Sequence, residues 1–108
     1  MENINNINEL QSFINGNTFA FLYVSSKNCS VCAPLSYKME EMLSGFPNIN
    51  LRKMDLDELP EVGSTLSLFT VPMMILFIEG RETFRESRFV KINEFRDNIK
   101  RIYDIYYN

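Results

Sequence analysis

The hydrophobic residues of this chain fall into helical stripes and short continuous runs, and their order outlines an α/β fold. Ile7, Leu10, Phe13 and Ile14 recur at helical spacing with Asn8 and Ser12 facing outward, which predicts a first helix over residues 6–15. Gly16-Asn17 follows as a C-terminal stop. Phe19 to Val24 is apolar throughout, as suits a strand buried on both faces of a parallel or mixed sheet. Val31, Leu35, Met39, Met42 and Leu43 mark one face of a second helix, which Gly45 and Pro47 end. Ile49 to Leu56 reads as a second buried strand. A strand, a helix and a strand in succession imply a right-handed crossover and parallel pairing.

Leu59, Val62 and Leu66 predict a short helix around Pro60 and Gly63. Met73 to Ile78 is the third clear strand, introduced by Val71-Pro72. Glu79-Gly80-Arg81 is a hairpin turn into Glu82–Arg88, where Phe84 sits among charged residues as on an edge strand. Ile92, Phe95, Ile99, Ile102 and Tyr106 form the stripe of a closing helix. The order helix–strand–helix–strand–helix–strand–strand–helix describes a three-layer α/β sandwich with a mixed central sheet flanked by helices. Without repeats or linkers, residues 1–108 are expected to form a single domain.

Composition narrows the function. With 45% hydrophobic and 23% charged residues, wholesale disorder is excluded. Eleven Lys and Arg against 14 Asp and Glu give a net charge of −3, and no basic stripe offers a footprint for nucleic acid. Met1-Glu2-Asn3-Ile4-Asn5-Asn6 is neither a positive leader nor an apolar signal core. The longest apolar stretch, Val71 to Ile78, is too short to cross a bilayer. A cytoplasmic protein without membrane partners is therefore expected. The chain has no histidine, which removes Cys-His and Ser-His nucleophiles and most zinc sites. Zinc shared across a dimer would have only two thiolates from each chain, so no metal is expected. Methionines 39, 42, 54, 73 and 74 read as core filler.

The two cysteines change the picture most. They stand three apart in Lys27-Asn28-Cys29-Ser30-Val31-Cys32-Ala33-Pro34, after a buried strand and at the mouth of a helix. That is the layout of a dithiol redox site. The thiolate is the reactive form, and unpaired N–H groups with the positive end of a helix dipole would stabilise it on Cys29. Cys32, expected one turn inside the helix, lies within reach of a mixed disulfide on Cys29. Cys29 thus attacks and Cys32 resolves. Lys27, Asn28, Ser30 and Val31 form the thiolate's environment, and Pro34 is structural in the opening turns. Two cysteines that merely pack in a core would have no need of this spacing.

These parts together resemble the thioredoxin family over nearly the whole chain. The resemblance rests on the strand before Cys29, on Cys29-Ser30-Val31-Cys32, and on Lys53-Met54-Asp55-Leu56-Asp57. It continues through Thr70-Val71-Pro72, Met73–Ile78, the Glu79-Gly80 turn and the closing helix. It implies a thioredoxin-like fold and an enzyme, a protein-disulfide oxidoreductase of electron transport and cell redox homeostasis. The Cys29–Cys32 pair would be the redox-active centre, with no further cofactor. Val71–Pro72 would be cis and face the cysteines, with Val71, Pro72 and Met73 as substrate-binding residues. Disulfide-containing proteins would be the substrates, an upstream reductase such as a thioredoxin reductase the electron donor, and the protein a monomer. The chain departs from the family in Asn28 for tryptophan, Ser30-Val31 for Gly-Pro, Tyr23 for a buried acid, and Arg88 for a glycine. Lys53 matches a position beneath the active site, although its acidic partner is missing. Tyr23 is expected to pack in the core with a hydrogen-bonded tip. The departures motivate a second expectation, a thioredoxin-like partner-binding or redox-sensing module with little turnover.

Overall fold

The computed structural model describes residues 1–108, and its frame is a five-stranded mixed sheet with two helices on each face. In chain order the elements are β1 (Glu2–Asn3), α1 (Ile7–Asn15), β2 (Phe19–Ser25), α2 (Cys32–Leu43) and β3 (Ile49–Asp55). Then come α3 (Pro60–Thr65), β4 (Met73–Ile78), β5 (Arg81–Ser87) and α4 (Ile92–Tyr107). The strands lie in the order β1-β3-β2-β4-β5. β1, β3 and β2 run parallel, while β4 is antiparallel to both β2 and β5.

The sequence pattern anticipates every element but β1. Two residues, both exposed, carry no alternation to detect, yet Glu2 and Asn3 pair with Arg52 and Lys53. A second correction concerns β3, where only Ile49 and Met54 are buried. Its neighbour β1 is short, so its middle residues remain partly open. Arg52 there stacks over Phe13 at 5.5 Å and pairs with Glu2 at 3.0 Å.

The central strand explains the layers. Along β2, Phe19, Phe21 and Tyr23 join one core with Met39, Met42 and Leu43 of α2 and Phe95, Ile99 and Tyr103 of α4. The alternate residues Ala20, Leu22 and Val24 join the other core with Leu10 and Phe13 of α1 and Val62 of α3. Side chains alternate across a strand, so a strand covered on both faces must be apolar throughout. The five methionines read as filler are all buried.

Local chemistry sets the ends. The Asn6 side chain accepts the Glu9 N–H at 2.8 Å and starts α1. At its other end the Gly16 N–H reaches Ser12 O at 2.8 Å, and a Cβ on Gly16 would stand 2.6 Å from that oxygen. Close approach, not a left-handed backbone, is what requires glycine there. The β4–β5 turn does use the left-handed region, with φ +52° at Glu79 and +80° at Gly80. No helix is long and apolar enough to cross a membrane.

Candidate active site

Register brings the site to one end of the sheet. Val24 pairs with Met73, and Met73 pairs with Ser87, so the segments after β2, before β4 and after β5 share that end. The segment after β2 carries the cysteines. Their sulfurs are bonded, 2.08 Å apart, with Cα atoms separated by 5.4 Å.

The pair sits about one turn earlier relative to the helix than expected, with Cys29 ahead of it and not at its entrance. α2 begins at Cys32 itself, with Val31 as its N-cap, and Cys29 lies in the preceding turn. The reason is that Cys32 N–H closes that turn on Cys29 O at 3.3 Å, before regular helical bonding starts from Leu35 N–H to Val31 O. Val31 has no side-chain hydroxyl to cap the helix, and Ser30 does not supply one. The N–H groups of Ser30, Val31 and Ala33 donate to no protein acceptor, so unpaired donors crowd the turn of Cys29. Pro34, which lacks an N–H, takes the third helical position. Cys29 is partly exposed, whereas Cys32 is buried.

Beneath the pair, the Tyr23 hydroxyl donates to Cys32 O at 2.6 Å and so fastens the first residue of α2 to β2. Burial pushes the Tyr23 phenol up to about 12, so it remains a protonated donor at neutral pH. A cleft of about 590 Å³ runs along this face and is lined by Tyr23, Lys27, Cys29, Cys32, Glu40 and Lys53. Lys53, directly opposite Tyr23 across the β2–β3 pair, forms no ion pair.

The other site residues of the sequence reading are distributed unevenly. Val71–Pro72 is cis, as the resemblance implies. Val71 is half-buried, and its N–H and C=O make no hydrogen bond within the protein. The Met73 side chain is buried in the α1/α3 core and its backbone lies within the β2–β4–β5 ladder. Lys27, Asn28 and Ser30 are exposed, and Val31 is half-buried.

Two further residues, Asp57 of the stretch that carries the resemblance and Arg85, hold loops of the fold through bonds the sequence did not announce. Asp57 accepts the Lys27 N–H at 3.1 Å and ties the cysteine segment to the turn after β3. Arg85 grips Glu82 with two bonds of 2.9 and 2.7 Å and donates to Ser67 O at 2.9 Å and Leu66 O at 2.6 Å. Both act on backbone atoms far away in sequence, and no motif signals that.

A cystine between residues three apart, the first partly exposed and the second buried, on a mixed sheet with helices on both faces, defines a dithiol–disulfide protein. The sequence pattern of the thioredoxin family, described as "Thioredoxin", matches residues 3–101. The chain belongs to the thioredoxin family. It is 36% identical over 106 residues to thioredoxin-like protein YdfQ of Bacillus subtilis (strain 168), covering 98% of this chain and 95% of that one. Its fold is also similar to a mutant thioredoxin from Halobacterium salinarum NRC-1, with a TM-score of 0.81 at 20% identity over 93% of this chain and 88% of that one. Oxidised mitochondrial thioredoxin 3 from Saccharomyces cerevisiae gives a TM-score of 0.81 at 16% identity, covering 94% of each chain. Family and bonded pair together support thiol–disulfide oxidoreductase chemistry in the broad sense.

Proposed function

We propose that this protein reduces disulfides in other proteins through a mixed disulfide on Cys29 that Cys32 resolves. The observation that carries the reading is the asymmetry of the bonded pair: Cys29 is open in a turn rich in unpaired N–H groups, and Cys32 is covered at the head of α2. In the reduced protein the Cys29 thiolate attacks a substrate disulfide. A new S–S bond forms, and one substrate sulfur leaves as thiolate and takes up a proton. Cys32 then loses its proton and attacks the Cys29 sulfur, releasing the second substrate thiol. Two electrons pass to the substrate, and the Cys29–Cys32 disulfide remains. An upstream dithiol reductant, of the thioredoxin reductase kind, returns the electrons. The pair itself is the redox group, and the protein works as a cytoplasmic monomer.

A second reading, a partner-binding or redox-sensing module with little turnover, is favoured by Tyr23. A hydroxyl pushed up to about 12 does not take the Cys32 proton at neutral pH, and resolution would be slow. Trapping separates the two. A Cys32→Ser variant expressed in cells should carry disulfide-linked proteins on a non-reducing gel, and a Cys29→Ser variant almost none. Equal trapping by both variants, or by neither, refutes the assigned roles. Brief alkylation of the reduced protein, mapped by mass, should label Cys29 first.

A further inference from the structure

The end of the sheet that carries Cys29 also presents two phenylalanines that the core does not use. Phe69 is 85% exposed and Phe89 is 86% exposed, the highest values among the large hydrophobic side chains. Phe69 belongs to the segment leading into β4, and Phe89 follows β5 by two residues. Because Met73 pairs with both Val24 and Ser87, the segments that carry both rings lie at the end of the sheet where Cys29 stands.

Neither ring rides on a loose segment. Arg85, fixed by Glu82, holds the Leu66 and Ser67 carbonyls just before Phe69. The turn around Phe89 is closed by Val90 N–H on Ser87 O at 3.0 Å, and the Arg88 guanidinium lies over the Phe89 ring at 5.4 Å. Val71, in the same segment as Phe69, leaves its N–H and C=O unpaired, as an edge ready to take an extended peptide.

Charge at this end is divided. Arg88 forms no ion pair, and Lys91 shares a small cavity beside Phe89 with Glu86 and Glu94. Asp57 and Glu58 follow β3, on the opposite side of β2 in the sheet. The β4–β5 side is thus aromatic, with Arg88 stacked on Phe89 and no carboxylate within ion-pair distance of it, and the β3 side is acidic.

We propose that Phe69, Phe89 and Arg88 select, among protein disulfides, those whose cysteine lies in an extended segment with apolar and acidic neighbours. The segment runs along Val71, its apolar side chains cover the two rings, and its carboxylate meets Arg88. This specificity rests on the oxidoreductase reading, and the test separates the two.

Two disulfide-linked peptide dimers, one with Leu and Glu flanking the cysteine and one with Ser and Lys, are mixed with the reduced protein. Bis(2-hydroxyethyl) disulfide serves as the small disulfide. The Leu/Glu peptide should react roughly tenfold faster than the Ser/Lys peptide, as burial of part of an aromatic ring and one added charge contact imply. Phe69→Ser and Phe89→Ser should each lower the ratio of Leu/Glu-peptide rate to small-disulfide rate about fivefold to tenfold. Arg88→Glu should reverse the charge preference, and the difference should shrink in high salt. A cysteine-free Leu/Glu peptide should shift backbone amide resonances within residues 66–72 and 88–91. Reduction of the small disulfide with no peptide preference and no shifts there overturns the docking surface and leaves the oxidoreductase reading standing. Shifts at those residues with no reduction of any disulfide support the docking surface and overturn the oxidoreductase reading. Variants that slow peptide and small disulfide alike overturn the specificity.

Discussion

Replacing Tyr23 by Phe should weaken the protein at neutral pH and cease to weaken it near pH 11. The substitution keeps the buried ring and removes one hydroxyl, whose single partner is Cys32 O at 2.6 Å. That carbonyl heads α2, so a helical N–H remains to satisfy it, and only one neutral bond is lost. The cost at pH 7 is about 1 kcal/mol. Alkaline pH works the other way. The folded Tyr23 is raised from 10.0 to about 12, so the folded state holds its proton more tightly than the unfolded chain. The stabilisation is complete below pH 10 and is lost as pH rises from 10 toward 12. By pH 11 the wild type gives up about 1.4 kcal/mol through this group, which offsets the bond it had kept. The other tyrosines, including Tyr106, raised by its hydrogen bond to Glu79, are common to both proteins and cancel in the difference. Urea unfolding of the oxidised proteins, followed by circular dichroism from pH 7 to 11, reads the gap directly. A gap that stays constant through pH 11 would show that Tyr23 is not held protonated by burial.

Arg85→Met should release the Leu66 and Ser67 carbonyls and leave Glu82 without its partner, costing about 2 kcal/mol. Limited chymotrypsin digestion should then cut at Phe69 faster than in the wild type, and an unchanged cutting rate would count against the clamp. Gly16→Ala should lower stability by about 1–2 kcal/mol, because the added methyl meets Ser12 O at 2.6 Å where the backbone φ of −91° would otherwise suit alanine. A thermal midpoint equal to or above the wild type would show that α1 relaxes without loss.

What could be read from the chain followed from how strongly a feature is written in side chains. β2 and β4 are apolar at every position through Val24 and Ile78, because both faces of the sheet are covered, and that run identifies them without ambiguity. The cysteine spacing and the helix face behind it are equally local. β1 was invisible because backbone pairing and one surface ion pair from Glu2 to Arg52 hold it, with Glu2 and Asn3 both exposed. The one-turn shift in where α2 starts turns on a single backbone bond, Cys32 N–H to Cys29 O, which no residue type announces. The bonds of Asp57 and Arg85 escaped for the same reason, since Asp57 binds a main-chain atom 30 residues away and Arg85 binds two that are 18 and 19 residues away. Side-chain pattern specifies the layers, and long-range bonds to backbone set the loops around the cysteines.

The same division bears on the chemistry of the pair. Tyr23 was legible as a core tyrosine, but its bond to the Cys32 carbonyl makes it part of the floor of the site. A neutral donor at that place cannot serve as a base near pH 7, for its proton is held until about 12. Lys27 and Lys53 bring positive charge to the same cleft, and Glu40 is the one carboxylate lining it. Glu40 is exposed and stands two turns along α2 from Cys32, too far to take its proton directly. In the proposed reaction the cations and the unpaired N–H groups of Ser30, Val31 and Ala33 favour a thiolate on Cys29. In that reaction the Cys32 proton would go to solvent, not to the group directly beneath it. Attack and resolution are therefore governed by different surroundings: attack by the charges around the Cys29 turn, and resolution by how far opening of the disulfide exposes the first residue of α2.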